Sequence, residues 1–329
     1  MGKRKSLTAA ASAAGMLVLI FDSRTALSGG VEGVELCLRA VIPSLFPFLF
    51  LSGCFCEAFS RTSLAMLRPI GKAFSLPRGM EYLLIPAFLG GYPIGAQAVS
   101  QARASGAISS KQAERMLAYC SNVGPAFLFG MVISQFGRKG LTWTIWVIQI
   151  LSAWTASRFF GTREEATPSA KPPGTASSFH MEAAVGAMLK ICGYVILFRI
   201  LAAFLGRWVL WAVVPWARVM VVGLLELANG CCCLNLIVDE GIRFMVCNLM
   251  LAFGGLCVVF QTASVCDGLR LRCYAAGKLL QGAVAVLLAA GVYYRLWWIF
   301  PGWFAVCLIP RVSKKRVEIQ RRMVYNGSR

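Results

Sequence analysis

Apolar residues run through this chain in blocks that approach the ~20 positions needed to cross a bilayer, and the blocks recur along the whole length. A basic start, "MGKRK", leads into the apolar run Leu7–Phe21. That pattern fits either a signal peptide or a first helix. The following Asp22, Ser23 and Arg24 make a poor small-residue cleavage site, which favours a retained helix with a cytoplasmic N-terminus. A second helix is expected over Val34–Ala58; it holds "PSLFPFLFLSG", whose two prolines free carbonyls that a neighbour must satisfy. Arg61, Arg68, Lys72 and Arg78 then read as a cytoplasmic loop.

Tyr82–Ser100 begins apolar and loses that character after Gly95. Gly106 punctuates, Ser109–Gln112 has the form of a capping box, and a new helix is expected through Glu114 to Tyr119. Helix, polar turn, helix predicts a re-entrant hairpin buried in protein. "YCSNVGPAF" interrupts the next helix at Asn122, Gly124 and Pro125, and Leu141–Ser157 is a further span. A linker rich in Pro, Ser, Thr and charge covers 161–178. Spans are expected in the second half near Ala184–Leu205, Trp208–Val238 (broken), Phe244–Val265 and Lys278–Phe300. The expected fold is an all-α polytopic helical membrane protein with two repeated halves containing interrupted helices or re-entrant hairpins. Its segments are an N-terminal helix (1–30), a first repeat (31–160), a polar linker (161–180), a second repeat (181–300) and a basic tail (301–329).

Composition agrees: 58% of residues are hydrophobic and 14% charged, where a soluble domain carries about 25% charge. The net charge of +19 comes from basic residues between the apolar blocks and at both ends, which orient helices and meet anionic headgroups. No soluble domain remains for nucleic-acid binding. Of thirteen cysteines, Cys54/Cys56 and Cys231–Cys233 look most metal-like, yet nearly all lie in apolar helices, where a thiol packs as a small hydrophobe. The single histidine, His180, sits in the linker, so no metal site, cofactor or enzymatic constellation is expected. No phosphate-binding P-loop is present.

Gly90, Gly91, Gln97 and Ser100 recur as Gly254, Gly255, Gln261 and Ser264 at a constant offset of 164. Close packing through small residues accounts for such glycines in many membrane helices. A glycine pair also lets the backbone leave helical geometry, and a glutamine adds donors and an acceptor at the same depth. Interrupted helices at matching places in two halves point to a secondary transporter with its substrate at the repeat interface. Glu226 lies near the middle of an apolar run, where Gly223, Glu226, Asn229 and Gly230 fall at i, i+3, i+6 and i+7 and so share one helix face. A carboxylate at that depth costs at least ~2.5–3.5 kcal/mol on insertion scales and should face a polar interior. Arg39 and Arg199 lie inside or beside apolar runs, as anion attractors or, more simply, as snorkelling side chains.

Taken together, "GGYPIGAQ", "SNVGPAF", "GLLELANG" and "FGGLCVVFQ" resemble the sporulation integral membrane proteins of the YlbJ type, within the group carrying the nucleoside-recognition, or Gate, domain. The likeness runs over Leu38–Lys278, with "PSLFPF" and "ISSKQAE" in matching places. The resemblance implies a fold similar to concentrative nucleoside transporters and movement of dipicolinate across the outer forespore membrane, with nucleosides as the second substrate class. It places Gln97, Asn122, Glu226, Asn229 and Gln261 around the site, beside the glycine pairs 90/91 and 254/255. The expected partners are a small-molecule substrate, the lipid bilayer and a coupling ion, proton or sodium.

Overall fold

The computed structural model describes residues 2–59, 64–136, 139–161 and 179–308. Arg61, the linker from 162 to 178 and the tail from 309 onward lie outside the described residues. Every regular element among the described residues is helical. Helix α1 is Gly2–Phe21, and Asp22 caps α2 by accepting from the Thr25 amide. Helix α2 runs unbroken over Ser23–Phe59, 37 residues, so the boundary expected at residue 30 falls at Asp22. A wide π turn at Cys37–Val41 precedes Pro43 and Pro47, and the Ser44 hydroxyl donates to the Ala40 carbonyl at 2.6 Å. The widened turn accommodates the prolines without ending the helix.

After the short α3 (Arg68–Ala73) come α4 (Glu81–Gly90), α5 (Ile94–Ala104), α6 (Ser110–Met116), α7 (Pro125–Gln135) and α8 (Lys139–Phe160). The second half holds α9 (Phe179–Trp208), α10 (Pro215–Leu225), α11 (Leu227–Cys232), α12 (Glu240–Phe253), α13 (Gly255–Val265), α14 (Arg272–Tyr293) and α15 (Ile299–Leu308). Among the described residues, four stretches are long and apolar enough to cross a membrane: α2, Met181–Trp208, Glu240–Val265 and α14, with mean hydropathy from 1.7 to 2.0.

Each half has the same order: a long helix, a hairpin of two short helices, an interrupted helix, and a long helix. The hairpins are read from contacts across their tips. A Cβ on Gly95 would stand 2.9 Å from the Ala87 backbone, so the residues four before and four after Gly91 lie side by side. Gly223 and Gly230 touch in the same way across Glu226. Thus α4–α5 fold back at Gly91–Pro93, and α10–α11 fold back at Glu226. The hairpin expected around the polar turn at Gly106 therefore has its tip earlier, at Gly91. Ser121–Gly124 and Gly254 instead break α6–α7 and α12–α13.

This overturns the offset of 164. It lays a hairpin tip (Gly90–Gly91) over a helix interruption (Gly254–Gly255). The structural correspondence is shorter: Asn122 matches Gly254, and Gln149 matches Gln281, both 132 apart. Gln149 on α8 donates to the Asn248 carbonyl of α12 at 3.2 Å, while Gln281 on α14 donates to the Ala118 carbonyl after α6 at 2.7 Å. Each half thus ties the interrupted helix of the other. The same letters misled because glycine serves any close backbone approach, whatever the element.

The two first helices, α2 and α9, run antiparallel. Cβ atoms on Gly29 and Gly33 would stand 2.9 Å from the Ile200 and Ile196 backbones, and Cys37 meets the Cys192 carbonyl. Partner numbers fall as α2 advances, so the halves are inverted with respect to each other. The Gly29-x3-Gly33 spacing is what allows the two backbones to close.

Candidate functional site

The two tips and two interruptions converge. Gly91 has φ 84° and ψ −178°, a conformation nearly closed to other residues. It lets the tip backbone press on the first interruption: a Cβ on Gly124 would lie 2.9 Å from the Gly91 nitrogen. On the other side, Gly255 packs against the second tip, where an added Cβ would meet the Gly223 carbonyl at 3.0 Å. Tyr92 ties the halves together, its hydroxyl donating to the Leu251 carbonyl at 3.0 Å while its ring backs Gly254.

A cavity of about 60 Å³ lies between them. Its walls are Gly91 and Tyr92 of the first tip, Val123 and Gly124 of the first interruption, Glu226–Ala228 of the second tip and Gln261 of α13. Ala40, Val41, Ser44 and Leu45 of α2 and Ile191 and Val195 of α9 contribute to the remainder. Since one water needs about 10–15 Å³ of such space, the cavity admits a few waters or a small ion. Four helices, α5, α7, α11 and α13, begin at or beside its wall, so their positive ends gather there.

Glu226 is the one carboxylate in that lining. Its backbone is extended (φ −140°, ψ 114°), and its two oxygens accept from the Ala228 and Asn229 amides at 3.1 and 2.6 Å. The residue caps α11, satisfying amides that no helical carbonyl reaches. The expected single helix face of Gly223, Glu226, Asn229 and Gly230 is therefore not formed, because the chain reverses at Glu226. Gly223 and Gly230 pack against one another across the hairpin instead.

Of the other expected site residues, Gly91 and Gln261 line the cavity, and the rest support it or lie elsewhere. Asn122 is buried and donates to the Tyr119 and Ala87 carbonyls at 2.8 and 3.3 Å, clamping the first interruption to α4. Asn229 is buried with its amide on Glu226. Gly90 packs on Ile94, and Gly254 takes a left-handed turn (φ 85°) against Tyr92. Gln97 and Gln261 do not share a hollow. Gln97 lines a separate, more open cleft of about 370 Å³ with Ser100, Gln101, Lys190 and Ser264. The two glutamines sit on neighbouring helices, joined where Cys266 meets the Ala96 carbonyl, but Ser264 rather than Gln261 faces the cleft of Gln97. Arg199 pairs with Glu32 and Arg39 with Glu35 at 2.7 Å, so neither guanidinium is left for an anion in the cavity.

Sequence reasoning missed Tyr92 and Lys278. The apolar pattern sets Lys278 at the start of a span, where lysines commonly snorkel. The helix begins at Arg272, which carries Lys278 about 9 Å inward at 1.5 Å per residue. The signal available was Lys278 and Gln281 three apart in an otherwise apolar helix. No family model, curated protein or solved structure matches the chain.

Proposed function

We propose that this protein is a secondary transporter that moves a small polar or anionic metabolite by alternating access. Dipicolinate is the first substrate to test and nucleosides the second. The observation that carries the reading is the central cavity, walled by both hairpin tips, the first interruption and the helix that follows the second. Broken backbone is tolerated at membrane depth only where it is buried in protein or lines a water-filled space, and transporters place their substrates at such junctions. The gathered helix N-termini favour a carboxylate-bearing substrate, and Glu226, a carboxylate facing the same space, is the candidate to exchange a proton during the cycle. A ring-bearing metabolite exceeds the space between the tips, so the hairpins must part to admit it. The placement in a cell membrane, specifically the outer forespore membrane of a spore former, belongs to the same proposal.

Uptake of labelled dipicolinate and of labelled nucleosides into proteoliposomes tests the reading. The expected result is time-dependent accumulation of one class, reduced at least tenfold in Glu226→Leu. If neither class enters and Glu226→Leu liposomes behave identically, the function is of another kind. The alternative is then a non-transporting membrane scaffold for envelope assembly, whose Asn122 and Asn229 serve packing alone.

A further inference from the structure

The cleft that holds Gln97 is stacked on the central cavity along three shared helices. On α13, Gln261 lines the cavity and Ser264, one turn on, lines the cleft. On α9, Ile191 and Val195 face the cavity, while Ala187 and Lys190 face the cleft. The first hairpin repeats the order, with Tyr92 at the cavity and Gln97, Ser100 and Gln101 of α5 in the cleft. Ile94 and Ile191 are buried in one apolar cluster with Cys257, and this layer closes the two spaces from each other.

The chemistry of the cleft is one-sided. Lys190 is the one charged side chain in its lining, and no acidic group joins it there. The lysine lies nine residues into the apolar span Met181–Trp208, about 13 Å along the helix at 1.5 Å per residue. Glu182, the one acid on α9, stands eight positions earlier, about 12 Å away along the axis. Ionisable groups inside a span are costly and face either a partner or a water-filled space. Among the described residues, the side chains of Lys190, Gln97, Ser100 and Gln101 have no hydrogen bond or ion pair. The Ser264 hydroxyl, by contrast, is spent on the Gln261 carbonyl at 2.8 Å.

An ammonium, two carboxamides and a hydroxyl therefore offer their donors to one open space that contains no internal counter-charge. A carboxylate is the complement of that set, since an ammonium–carboxylate hydrogen bond is stronger than one between neutral groups. The cleft, at about 370 Å³, is also far roomier than the cavity of about 60 Å³. We propose that this cleft is a docking site for a carboxylate-bearing solute, held on Lys190 one helical turn short of the closed cavity. Gln97, Gln101 and Ser100 bond the remaining oxygens, and parting of the Ile94–Ile191 layer passes the solute inward. The place on a transport path rests on the function proposed above; the binding of a carboxylate does not.

Equilibrium dialysis of labelled dipicolinate against the full chain in detergent tests the site without any uptake. Saturable binding is expected, displaced by unlabelled dipicolinate and not by its uncharged diamide. Lys190→Gln should weaken it about tenfold or more, as for loss of a hydrogen bond between charged groups, with thermal unfolding unchanged because the side chain is exposed. Lys190→Arg keeps the positive charge and should retain most of the affinity, whereas Ala104→Trp, which fills the cleft from an exposed position, should abolish binding. Absence of saturable binding, equal affinity in Lys190→Gln or Ala104→Trp, or competition by the diamide overturns the proposal. Displacement by phosphatidylglycerol but not by phosphatidylcholine would give the cleft to a lipid phosphate and overturn it as well. Lys190-dependent binding without uptake would sink transport and leave the cleft standing. Uptake whose KM is unmoved by Lys190→Gln would sink the cleft and leave transport.

Discussion

Replacing Gly91 by alanine isolates the contact on which the central arrangement depends. Its φ of 84° with ψ of −178° costs about 1–3 kcal/mol for any residue bearing a Cβ. That Cβ would also stand 3.2 Å from the Gly124 nitrogen, backbone that cannot swing away, for which overpacking adds about 1–3 kcal/mol. The sum is about 2–6 kcal/mol. At roughly 2 °C per kcal/mol, the large-protein end of the usual scale, melting in detergent should fall by about 4–12 °C. Gly79 supplies the control, since its φ is also positive, at 86°, but nothing lies within 4 Å of an added Cβ. Gly79→Ala should cost only the conformational part, about 1–2 kcal/mol. The readout is intrinsic tryptophan fluorescence during thermal denaturation of both variants beside the parent. If Gly91→Ala melts no lower than Gly79→Ala, the first tip does not press on the first interruption and the packing argument fails.

Further outcomes follow from the same geometry. Tyr92→Phe removes the donor to the Leu251 carbonyl and one acceptor of Lys278, so a loss of about 1–3 kcal/mol is expected in chemical or thermal unfolding; an unchanged transition would count against the bridge between halves. Gly33→Leu should force α2 from α9 and lower stability by about 1–3 kcal/mol, whereas Gly30→Leu, whose nearest neighbour is an Ile200 methyl at 3.8 Å, should be tolerated. Equal melting of the two would show that the seam is not close-packed. Glu226→Leu strips the cap from α11 and should cost about 1–2 kcal/mol, with Glu226→Gln costing less because one acceptor remains. Calorimetry that ranks the two in the opposite order removes the capping role.

What was legible in the sequence is what local chemistry decides. Apolar blocks of membrane length mark the spans, and the Ser109–Gln112 capping box forms both reciprocal bonds, at 2.8 and 3.2 Å, because its parts lie within one turn. The interruptions at Gly91, Asn122 and Gly254 were also readable, since glycine, proline and amides have few other reasons to gather in lipid-facing sequence. What each break does was not. A hairpin tip and a kinked span use the same residues, and the choice between them is made by contacts such as Gly95 with Ala87, or Tyr92 with Leu251 some 160 positions away. Glu226 looked like one side chain on a continuous helix because only the fold-back reveals that its carboxylate is needed as a cap. Lys278 was hidden for a related reason. A lysine near the edge of an apolar block reads as interfacial until the true helix start at Arg272 shows how deep it sits.

The proposed transport requires the hollow between the two hairpins to open to each side of the membrane in turn. Ser44 on α2 lines that hollow, while Ala153 on α8 is fully buried away from it. The direct measurement uses a background in which the native cysteines are replaced and introduces Ser44→Cys or Ala153→Cys, each exposed to a membrane-impermeant thiol reagent from either face of sealed vesicles. Reaction of the residue-44 thiol from both faces, with the residue-153 thiol silent, is the expected result. Silence at residue 44 from both faces, or reaction from one face alone under every condition, would contradict the central claim.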